Sequence, residues 1–328
     1  MLSLKDILKR FNGIHILSVG DVMMDRFVQG KVERISPEAP VPVFQFVQEK
    51  KMLGGAGNVV ANLQSLSCHT YFVSLVGDDD FGDDVENLLS DLNCKSFLLK
   101  ANDRPTIMKA RFIAGNNHIL RFDKEKLLPL TQEQESILLQ KIKEKISHID
   151  IVLLSDYAKG LLSETMTQKI IELAHQFNKK VLIDPKGNDY SKYKGAFLVK
   201  PNRKELEAVS GQTLDYSSEN FLRDVATAGR YVLKKYSIDN MIVTLSEKGM
   251  LYVSADASET EIYLPTFARE VFDVSGAGDT SLATLGASLA VGAKIGQAME
   301  MANIASGIVV GKVGTATVSV DEIQERLK

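Results

Sequence analysis

The stretch DVSGAGDTSLATLGASLA, residues 273–290, joins a glycine-rich turn to a run of small apolar residues with helical periodicity. A turn of this kind leaves the first backbone N–H groups of the helix free, and the helix dipole adds positive potential there. Gly276, Ala277 and Gly278 have little or no side chain, so an anion can approach the main chain closely. We expect these three residues to cradle a phosphoryl group during its transfer.

Asp279 follows this turn and has two interpretations. Beside the cradle, its carboxylate can take a proton from an attacking hydroxyl, a role that contributes roughly 10²–10⁴-fold in rate. The alternative is that Asp279 only caps the helix, and this short motif does not separate the two. The motif is not a Walker A loop, because it lacks the Gly-Lys-Ser/Thr ending, and it lacks the third glycine of a dinucleotide fingerprint.

Outside this stretch, short apolar runs recur along the chain and are continuous rather than alternating, which is typical of strands buried on both faces. The runs are IHILSVG (14–20), TYFVSLVG (70–77), DIVLLSD (150–156), KVLIDPK (180–186), AFLVKPN (196–202) and MIVTLSEKG (241–249). Segments with helical periodicity lie between several of them, at 131–147, 163–177, 218–236 and 276–291. This alternation predicts an α/β fold with a mostly parallel sheet and helices on both faces.

Two segments do not follow the alternation. Residues 104–123, RPTIMKARFIAGNNHILRFD, form two runs around GNN and predict a hairpin. Residues 22–50 include RISPEAPVPVFQF, whose three prolines exclude helix and suit edge strands. We expect these segments to form a small antiparallel β lid. Because so small a sheet needs a second surface over its apolar face, we also expect a homodimer through the lids.

Polar residues follow several predicted strands, and ligands of open parallel sheets bind beyond the carboxyl ends of the strands. Asp21 and Asp25 follow the first run, where carboxylates can grip adjacent sugar hydroxyls. In LGGAGNVVANLQSL (53–66), Gly54 and Gly55 permit close approach, and the Asn58 amide both donates and accepts. Each feature also has a structural interpretation, as a surface carboxylate, a turn or a helix cap.

The stretch KPNRKELEAV (200–209) places Asn202 and Glu205 three residues apart at a helix start. They can hold phosphate or magnesium-bound water, but a capping box has the same pattern. Basic residues that converge on the crevice beyond the carboxyl ends of the strands would indicate a substrate that already carries a phosphate. The candidates on the hairpin are Lys109, Arg111 and Arg121, and those at strand ends are Lys159 and Lys186, beside Asp156 and Asp184.

The composition argues against several classes of function, among them nucleic-acid binding and zinc binding. The 328 residues are 45% hydrophobic and 25% charged with a net charge of −3, so we expect a globular protein that does not bind nucleic acid. The two cysteines are far apart, and none of the five histidines forms a helical zinc pair. The chain shows no secretory signal and no apolar run of about 20 residues, so we expect a cytoplasmic protein with no membrane contact.

The order of GGAGN, KPNRKE and DVSGAGDT resembles that of the ribokinase-like (PfkB) sugar kinase family, and the resemblance spans nearly the whole chain. It implies one ribokinase-like domain over residues 1–328, built as a three-layer sandwich with a lid from about 22–50 and 104–123. It also implies that Asp279 is the base and that Gly276, Ala277 and Gly278 form the anion hole.

The resemblance further implies three groups of binding residues. Asn202, Arg203, Lys204 and Glu205 would lie near the ATP phosphates and magnesium, with Glu205 acting through water, and Thr244, Ser246, Gly249, Asn303 and Gly307 would form the nucleotide pocket wall. Asp21, Asp25, Gly54, Gly55 and Asn58 would contact the sugar. Lys109, Arg111, Arg121, Asp156, Lys159 and Lys186 would lie in the region that holds the sugar phosphate.

A closer similarity to the heptose-phosphate kinases within this family is carried by VGDVMMDRFVQGKVERISPEAPVPV, LSDYAKG, IDPKGNDYSKYKGA and GKVGTATVS. It implies ATP- and Mg²⁺-dependent phosphorylation of the anomeric hydroxyl of D-glycero-β-D-manno-heptose 7-phosphate, in lipopolysaccharide inner-core synthesis. It leaves a monovalent-cation requirement open. Many relatives carry a nucleotidyltransferase domain with a His-x-Gly-His motif. The sequence reaches Lys328 without one, so we expect no adenylyl transfer from these residues.

Two alternatives remain at this point. A kinase of the same fold can act on an unphosphorylated sugar or nucleoside, although the basic residues of the lid argue against it. A sensor on a kinase scaffold would bind without catalysis, but loss of the base would be expected there, and Asp279 is present.

Overall fold

The computed structural model describes residues 2–115, 117–268 and 271–327. The strands are β1 (His15–Gly20), β2 (Val22–Ile35), β3 (Pro42–Gly55), β4 (His69–Gly77), β5 (Lys95–Ala101), β6 (Met108–Ala114), β7 (Asn117–Lys124), β8 (Ile151–Ser155), β9 (Lys180–Asp184), β10 (Leu198–Val199), β11 (Asn240–Thr244), β12 (Met250–Ser254) and β13 (Ile262–Leu264). The helices are α1 (Leu4–Lys9), α2 (Ala56–Ser65), α3 (Asp80–Asp91), α4 (Gln132–Lys145), α5 (Glu164–Gln176), α6 (Arg203–Ser210), α7 (Phe221–Tyr236), α8 (Ala277–Ala290), α9 (Ile295–Val309) and α10 (Val320–Arg326).

The main sheet has nine strands in the order β13-β12-β11-β10-β9-β8-β1-β4-β5. Every pairing from β5 to β11 is parallel, and β12 and β13 add an antiparallel edge. One face packs against a core with side chains from α4, α5, α6 and α7, and the other against a core with side chains from α1, α2, α8 and α9. The predicted mostly parallel sheet with helices on both faces is confirmed.

Helix α8 lies against the middle of this sheet and brings its first turn to the carboxyl ends of the strands. A Cβ atom on Gly286 would come within 2.7 Å of Leu153 Cδ2 on β8, so the glycine permits the close approach of helix and strand. The small residues of the opening stretch therefore serve packing along the helix, while its glycine-rich turn is left at the crevice.

The smaller sheet has the order β3-β2-β6-β7 and contains the predicted lid segments. It differs from a purely antiparallel sheet in one pairing, because β2 and β6 run parallel. Five elements lie between them in the chain, β3 of the lid and α2, β4, α3 and β5 of the main domain, so the two strands are not joined by a tight turn. β3 extends to Gly55, beyond the predicted limit, and residues 104–107 precede β6 as loop. The predicted GNN turn includes Asn116, which lies outside the described residues.

The strand register gives this lid two different faces. Asp25 pairs with Lys109, and Arg111 pairs with both Phe27 and Arg121, so charged side chains share one face. The alternate positions of β6 and β7 are apolar, with Phe112 paired to Val28 and Leu120, although Arg26 and Lys51 pair with each other on that side of β2 and β3. Because side chains alternate across a strand, β6 and β7 present charge on one side of the lid and apolar surface on the other.

Within the described ranges, no helix is both long enough and apolar enough to cross a lipid bilayer.

Candidate active site

The first turn of α8 provides free amides at the crevice. Gly276 is the residue before the helix and has φ +81, a left-handed conformation that favours glycine. A Cβ atom there would also come within 2.5 Å of Asn58 Nδ2. Within the described residues, the N–H groups of Gly276, Gly278 and Asp279 have no acceptor, whereas Ala277 N–H donates to the Val274 carbonyl at 3.3 Å. The free amides are therefore those of Gly276, Gly278 and Asp279, whereas the sequence suggested Gly276, Ala277 and Gly278.

Asp279 does not cap α8. The helix has no side-chain capping hydrogen bond, and Asp279 is only 3% exposed. Its Oδ1 accepts a hydrogen bond from Tyr157 Oη at 2.7 Å, and its Oδ2 accepts one from Asn58 Nδ2 at 2.9 Å. Burial raises the pKa of this carboxyl to about 7, while the two hydrogen bonds act in the opposite direction. An acid whose pKa lies near neutrality is suited to general base catalysis.

Asn58 is directed at Asp279, whereas the sequence suggested a sugar contact. Asn58 is fully buried on α2, and Asn62 Nδ2 donates to its Oδ1 at 3.3 Å. Asn62 Oδ1 accepts in turn from Thr280 Oγ1 at 3.0 Å. This chain of hydrogen bonds fixes the orientation of the Asn58 amide, so that its N–H₂ group faces the carboxylate.

Asp21, which was expected to contact the sugar, is bound to three backbone amides. Its Oδ2 accepts from the Tyr157 and Lys159 amides at 3.1 Å each, and its Oδ1 accepts from the Leu161 amide at 3.2 Å. Burial and the nearby Asp156 raise its pKa to about 6. Three amide donors on one buried carboxylate mean that Asp21 holds the loop that follows β8.

Asp25 is placed where a sugar contact was expected, at the junction of lid and crevice. Its Oδ1 lies 2.6 Å from Arg111 Nη1, and a Cβ atom on Gly54 would come within 2.2 Å of its Oδ2. Gly54 therefore leaves room for the carboxylate. Gly55 has φ +57 and begins α2 beside Tyr157, since its Cβ atom would lie 3.5 Å from that ring.

The basic candidates of the lid do not occupy equivalent places. Lys109 is half-buried, with Nζ 5.9 Å from the centre of the Tyr157 ring, and burial lowers its pKa. Arg111 is bound to Asp25. The Arg121 side chain is 53% exposed and forms a bidentate pair with Asp123. Lys109 and Arg111 are therefore closest to the base, and Arg121 lies at the outer edge.

The three strand-end candidates are dispersed rather than gathered on one phosphate. Asp156 has a side chain with 0% exposure, and its oxygens accept from Tyr193 Oη, Lys192 Nζ and the Ala158 amide, so it supports the loop instead of facing the crevice. Lys159 pairs with Glu125 at 2.7 Å. Lys186 pairs with Glu205 at 2.9 Å, which places it with the residues expected for the ATP phosphates.

A pocket of about 350 Å³ adjoins the first turn of α8, and all five residues expected for the nucleotide wall line it. They are Thr244, Ser246, Gly249, Asn303 and Gly307. Ala277 and Gly278 line the same pocket, so it opens directly onto the cradle. Its volume is within the usual range for small-molecule sites, roughly 300–1,000 Å³.

Asn202 and Glu205 form a capping box at the start of α6, with Asn202 Oδ1 accepting from the Glu205 amide at 3.0 Å. Glu205 Oε1 also accepts from Lys186 Nζ, so the carboxylate forms an ion pair in addition to the capping box. Arg203 pairs with Glu207 on its own helix and Lys204 is exposed, and neither lines the pocket.

A buried ion pair lies beneath the cradle. Lys200 Nζ is 3.1 Å from Asp184 Oδ2, and the Lys200 side chain is only 3% exposed. A Cβ atom on Gly278 would lie 3.6 Å from that Nζ. Lys200 and Tyr157 are the site residues that sequence reasoning missed, whereas Asp184 was expected at a strand end. Lys200 and Tyr157 stood in the motifs KPNRKE and LSDYAKG, but a single sequence does not show which member of a motif faces the site.

An α/β fold with a pocket at a helix N-terminus and a buried carboxylate beside it defines a small-molecule kinase. The pfkB family carbohydrate kinase profile matches residues 14–322, and the chain belongs to that family.

Sequence relatives agree with this assignment. The chain is 44% identical over 322 residues to the bifunctional protein HldE of Paramagnetospirillum magneticum, with 98% of the chain and 64% of the relative covered. It is 43% identical over 316 residues to HldE of Campylobacter curvus, with 96% and 65% covered. The chain thus spans slightly less than two thirds of the length of these curated relatives.

Solved structures show the same fold. A ribokinase from Arabidopsis thaliana, complexed with ribose and ATP, matches with a TM-score of 0.73 at 18% identity, over 96% of this chain and 99% of that one. Phosphofructokinase-2 from Escherichia coli, in complex with potassium, matches with a TM-score of 0.75 at 20% identity, over 95% and 97%. The predicted ribokinase-like fold is confirmed.

Proposed function

We propose that this chain transfers the γ-phosphoryl group of ATP to the anomeric hydroxyl of D-glycero-β-D-manno-heptose 7-phosphate, as a step towards the lipopolysaccharide inner core. The observation that carries the proposal is the place of Asp279, buried at the mouth of α8 between free backbone amides and the charged face of the lid. The heptose is proposed from the sequence similarity to heptose-phosphate kinases and from the HldE relatives.

In this reaction the Asp279 carboxylate takes the proton of the sugar hydroxyl. At the same time the oxygen of that hydroxyl bonds to the γ-phosphorus, and the bond between the γ-phosphorus and the bridging oxygen of ADP breaks. The amides of Gly276, Gly278 and Asp279 are free to stabilise negative charge on the migrating group. Lys200, paired with Asp184, lies beside Gly278 and can donate to an oxygen of that group.

Mg²⁺ is proposed as the cofactor. The described residues contain no cluster of three or more acidic, histidine or cysteine side chains that could hold a metal. That fits Mg²⁺ in kinases, which is commonly held by one or two carboxylates, substrate phosphates and water. Glu205 and Asp184 are the carboxylates proposed to hold it; neither lines the pocket, and they are paired with Lys186 and Lys200. When bound, Mg²⁺ would neutralise charge on the ATP phosphates.

The substrate phosphate is assigned to the charged face of the lid. Lys109 lies nearest the base, and Arg111, held by Asp25, is next to it. A phosphate that enters here can pair with a guanidinium and an ammonium group on the same side of the acceptor hydroxyl. An unphosphorylated sugar would form no charged contact with either cation, so we expect weak turnover of it.

We also propose a homodimer through the lids. The exposed large apolar side chains include seven from the lid: Ile35, Val41, Phe46, Val47, Ile119, Leu120 and Phe122. A four-stranded sheet with this much bare apolar surface gains stability when a second copy covers it.

We propose the cytoplasm as the location of the protein. Cys68 and Cys94 are both free, which supports a reducing compartment.

The proposal is tested by a substrate panel with MgATP. Heptose 7-phosphate and the same heptose without its phosphate are compared at equal concentrations, and the phosphorylated position is read by NMR of the product. We expect the 1,7-bisphosphate, and a kcat/KM at least roughly 10²-fold lower without the 7-phosphate, because two charged contacts are lost. Equal turnover of the two sugars would disprove the phosphosugar assignment.

A further inference from the structure

A tyrosine hydroxyl lies directly against the carboxylate of Asp279. Tyr157 Oη donates to Oδ1 at 2.7 Å, and Asn58 Nδ2 donates to Oδ2 at 2.9 Å, so the carboxylate is held from both sides. A carboxylate has about four lone-pair sites, and these two donors leave about two for a further hydroxyl. The contacts are therefore compatible with an acceptor hydroxyl bound at the same group.

The loop that carries Tyr157 is fixed by Asp21. This single buried carboxylate accepts the amides of Tyr157, Lys159 and Leu161. Between them, Ala158 has φ +55, a left-handed conformation that costs energy for a residue with a Cβ atom. Such a conformation persists only where the surroundings determine it, and the amide contacts of Asp21 do so here.

We propose that Tyr157 is a positioning residue for the phosphoryl transfer. Its O–H group, together with the Asn58 amide, fixes the rotamer of the Asp279 carboxylate and favours its ionised form, while Asp21 holds Tyr157 in place. The inference rests on the proposed function, because it assigns Tyr157 a role at the same base.

Tyr157 acts as a donor only. Burial and the neighbouring Asp279 raise the pKa of its phenol well above the usual value, so the phenol stays protonated at every working pH. The proton of the acceptor hydroxyl goes to Asp279, and none passes through Tyr157. The phenol lowers the pKa of Asp279, which burial raises.

The test is the pH profile of kcat for Tyr157→Phe, with heptose 7-phosphate and MgATP saturating. Without the phenol donor the pKa of Asp279 rises further, so the base is protonated over a wider range. We expect the acid limb of the profile to move up by roughly one pH unit and kcat at pH 7 to fall by roughly 5-fold, because the ionised fraction of a base with a pKa of about 7 falls by that factor. KM for ATP should change less than 2-fold, because Tyr157 does not line the nucleotide pocket. An acid limb that overlays the wild-type limb would overturn the proposal.

Tyr190→Phe is the matched control. Tyr190 is fully buried, and its hydroxyl has no hydrogen-bond partner among the described residues. This substitution removes the same atom from the interior without removing a hydrogen bond to Asp279, so its pH profile should be that of the wild type. An equal shift in both variants would show that the change comes from general loosening and would contradict the assignment to Tyr157.

Asp21→Asn tests the link through the loop. An asparagine offers one acceptor oxygen where the carboxylate offers two, so at least one of the three loop amides loses its acceptor and the loop that carries Tyr157 is held less firmly, without a change in size. We expect the acid limb to move in the same direction as in Tyr157→Phe, and the double variant to show little further change, as expected for residues that act as one unit. A variant that only raises KM for the sugar, with its acid limb unmoved, would show that Asp21 is a sugar contact instead.

Asp279→Asn separates this inference from the proposed function. If that variant is inactive while Tyr157→Phe keeps the wild-type profile, the base stands and the positioning role fails. If Asp279→Asn remains active, the base itself fails and the role of Tyr157 with it.

Discussion

At the scale of single residues, Asp279 has to be both buried and ionised. Burial raises its pKa to about 7, against the effect of its two hydrogen-bond donors. A base is active only when deprotonated, so activity is present above this pKa and is lost as the pH falls through it. We expect wild-type kcat to decline about tenfold per unit below about pH 7. The measurement is kcat at saturating substrates from pH 5 to 9, and a flat profile down to pH 5 would contradict the assignment.

The two arginines of the lid give a matched pair of variants. Arg111 is bound to Asp25 near the base, whereas Arg121 lies at the exposed edge beside Asp123. Arg111→Ala should raise KM for the phosphosugar by roughly 10-fold or more, since it removes a charged contact and leaves Asp25 without its partner. Arg121→Ala should raise it by less than about 3-fold, because exposed charge pairs contribute little. The measurement is KM for the phosphosugar from initial rates of the two variants. A larger rise in KM for Arg121→Ala than for Arg111→Ala would place the phosphate at the outer edge of the lid.

Some roles in the site follow from the sequence and others do not. The GAGD motif predicts both the free amides and the nearby carboxylate, because a glycine-rich turn into a helix has defined local geometry. Asn58 and Asp21 were expected to contact the sugar, and their hydrogen bonds to Asp279 and to the 157–161 loop were not predicted. Such pairings join residues more than 100 positions apart in the chain. A single sequence shows which polar residues reach the crevice but not which of them bind each other.

At the scale of elements, α8 depends on a glycine to lie against β8. Gly286→Ala would place a Cβ atom 2.7 Å from Leu153 Cδ2, in a core where Leu153 is fully buried. Overpacking of this kind costs about 1–3 kcal/mol, more than the gain of about 1 kcal/mol from replacing a helical glycine. We expect a lower free energy of unfolding by urea titration.

Gly229→Ala on α7 is the control for that variant. Its Cβ atom would meet Met241 and Val253 at 3.5 Å, an ordinary contact distance. The stabilisation from replacing a helical glycine by alanine is then not offset by overpacking, and the free energy of unfolding should rise by about 0.5–1 kcal/mol. Stabilisation by both variants would show that α8 has room against the sheet.

The elements themselves were largely predictable from periodicity. The four predicted helical segments correspond to α4, α5, α7 and α8, and the continuous apolar runs lie in the main sheet. β10 is the exception, since only Leu198 and Val199 of the run 196–202 form strand before the chain enters α6. The parallel pairing of β2 with β6 was not predictable, because five other elements separate the two strands and no local turn connects them.

At the scale of the whole molecule, the proposed dimer is tested at the apolar face of the lid. Leu120→Asp with Phe122→Asp places two charges on a surface where these side chains are 57% and 52% exposed. If a second copy covers that face, the charges would be buried on assembly, and the protein should sediment as a monomer. Phe177→Asp, on an exposed site outside the lid, should keep the wild-type sedimentation coefficient. Unchanged assembly in the lid variant would exclude this interface.

The central claim is that the residue after the glycine-rich turn accepts the proton of the sugar hydroxyl. The direct measurement is kcat of Asp279→Asn with heptose 7-phosphate, alongside ATP affinity by titration. The account predicts that kcat falls by roughly 10²–10⁴-fold while ATP affinity stays within about 2-fold, because the amide keeps the shape of the site but cannot take a proton. A kcat within a few-fold of the wild-type value would contradict it.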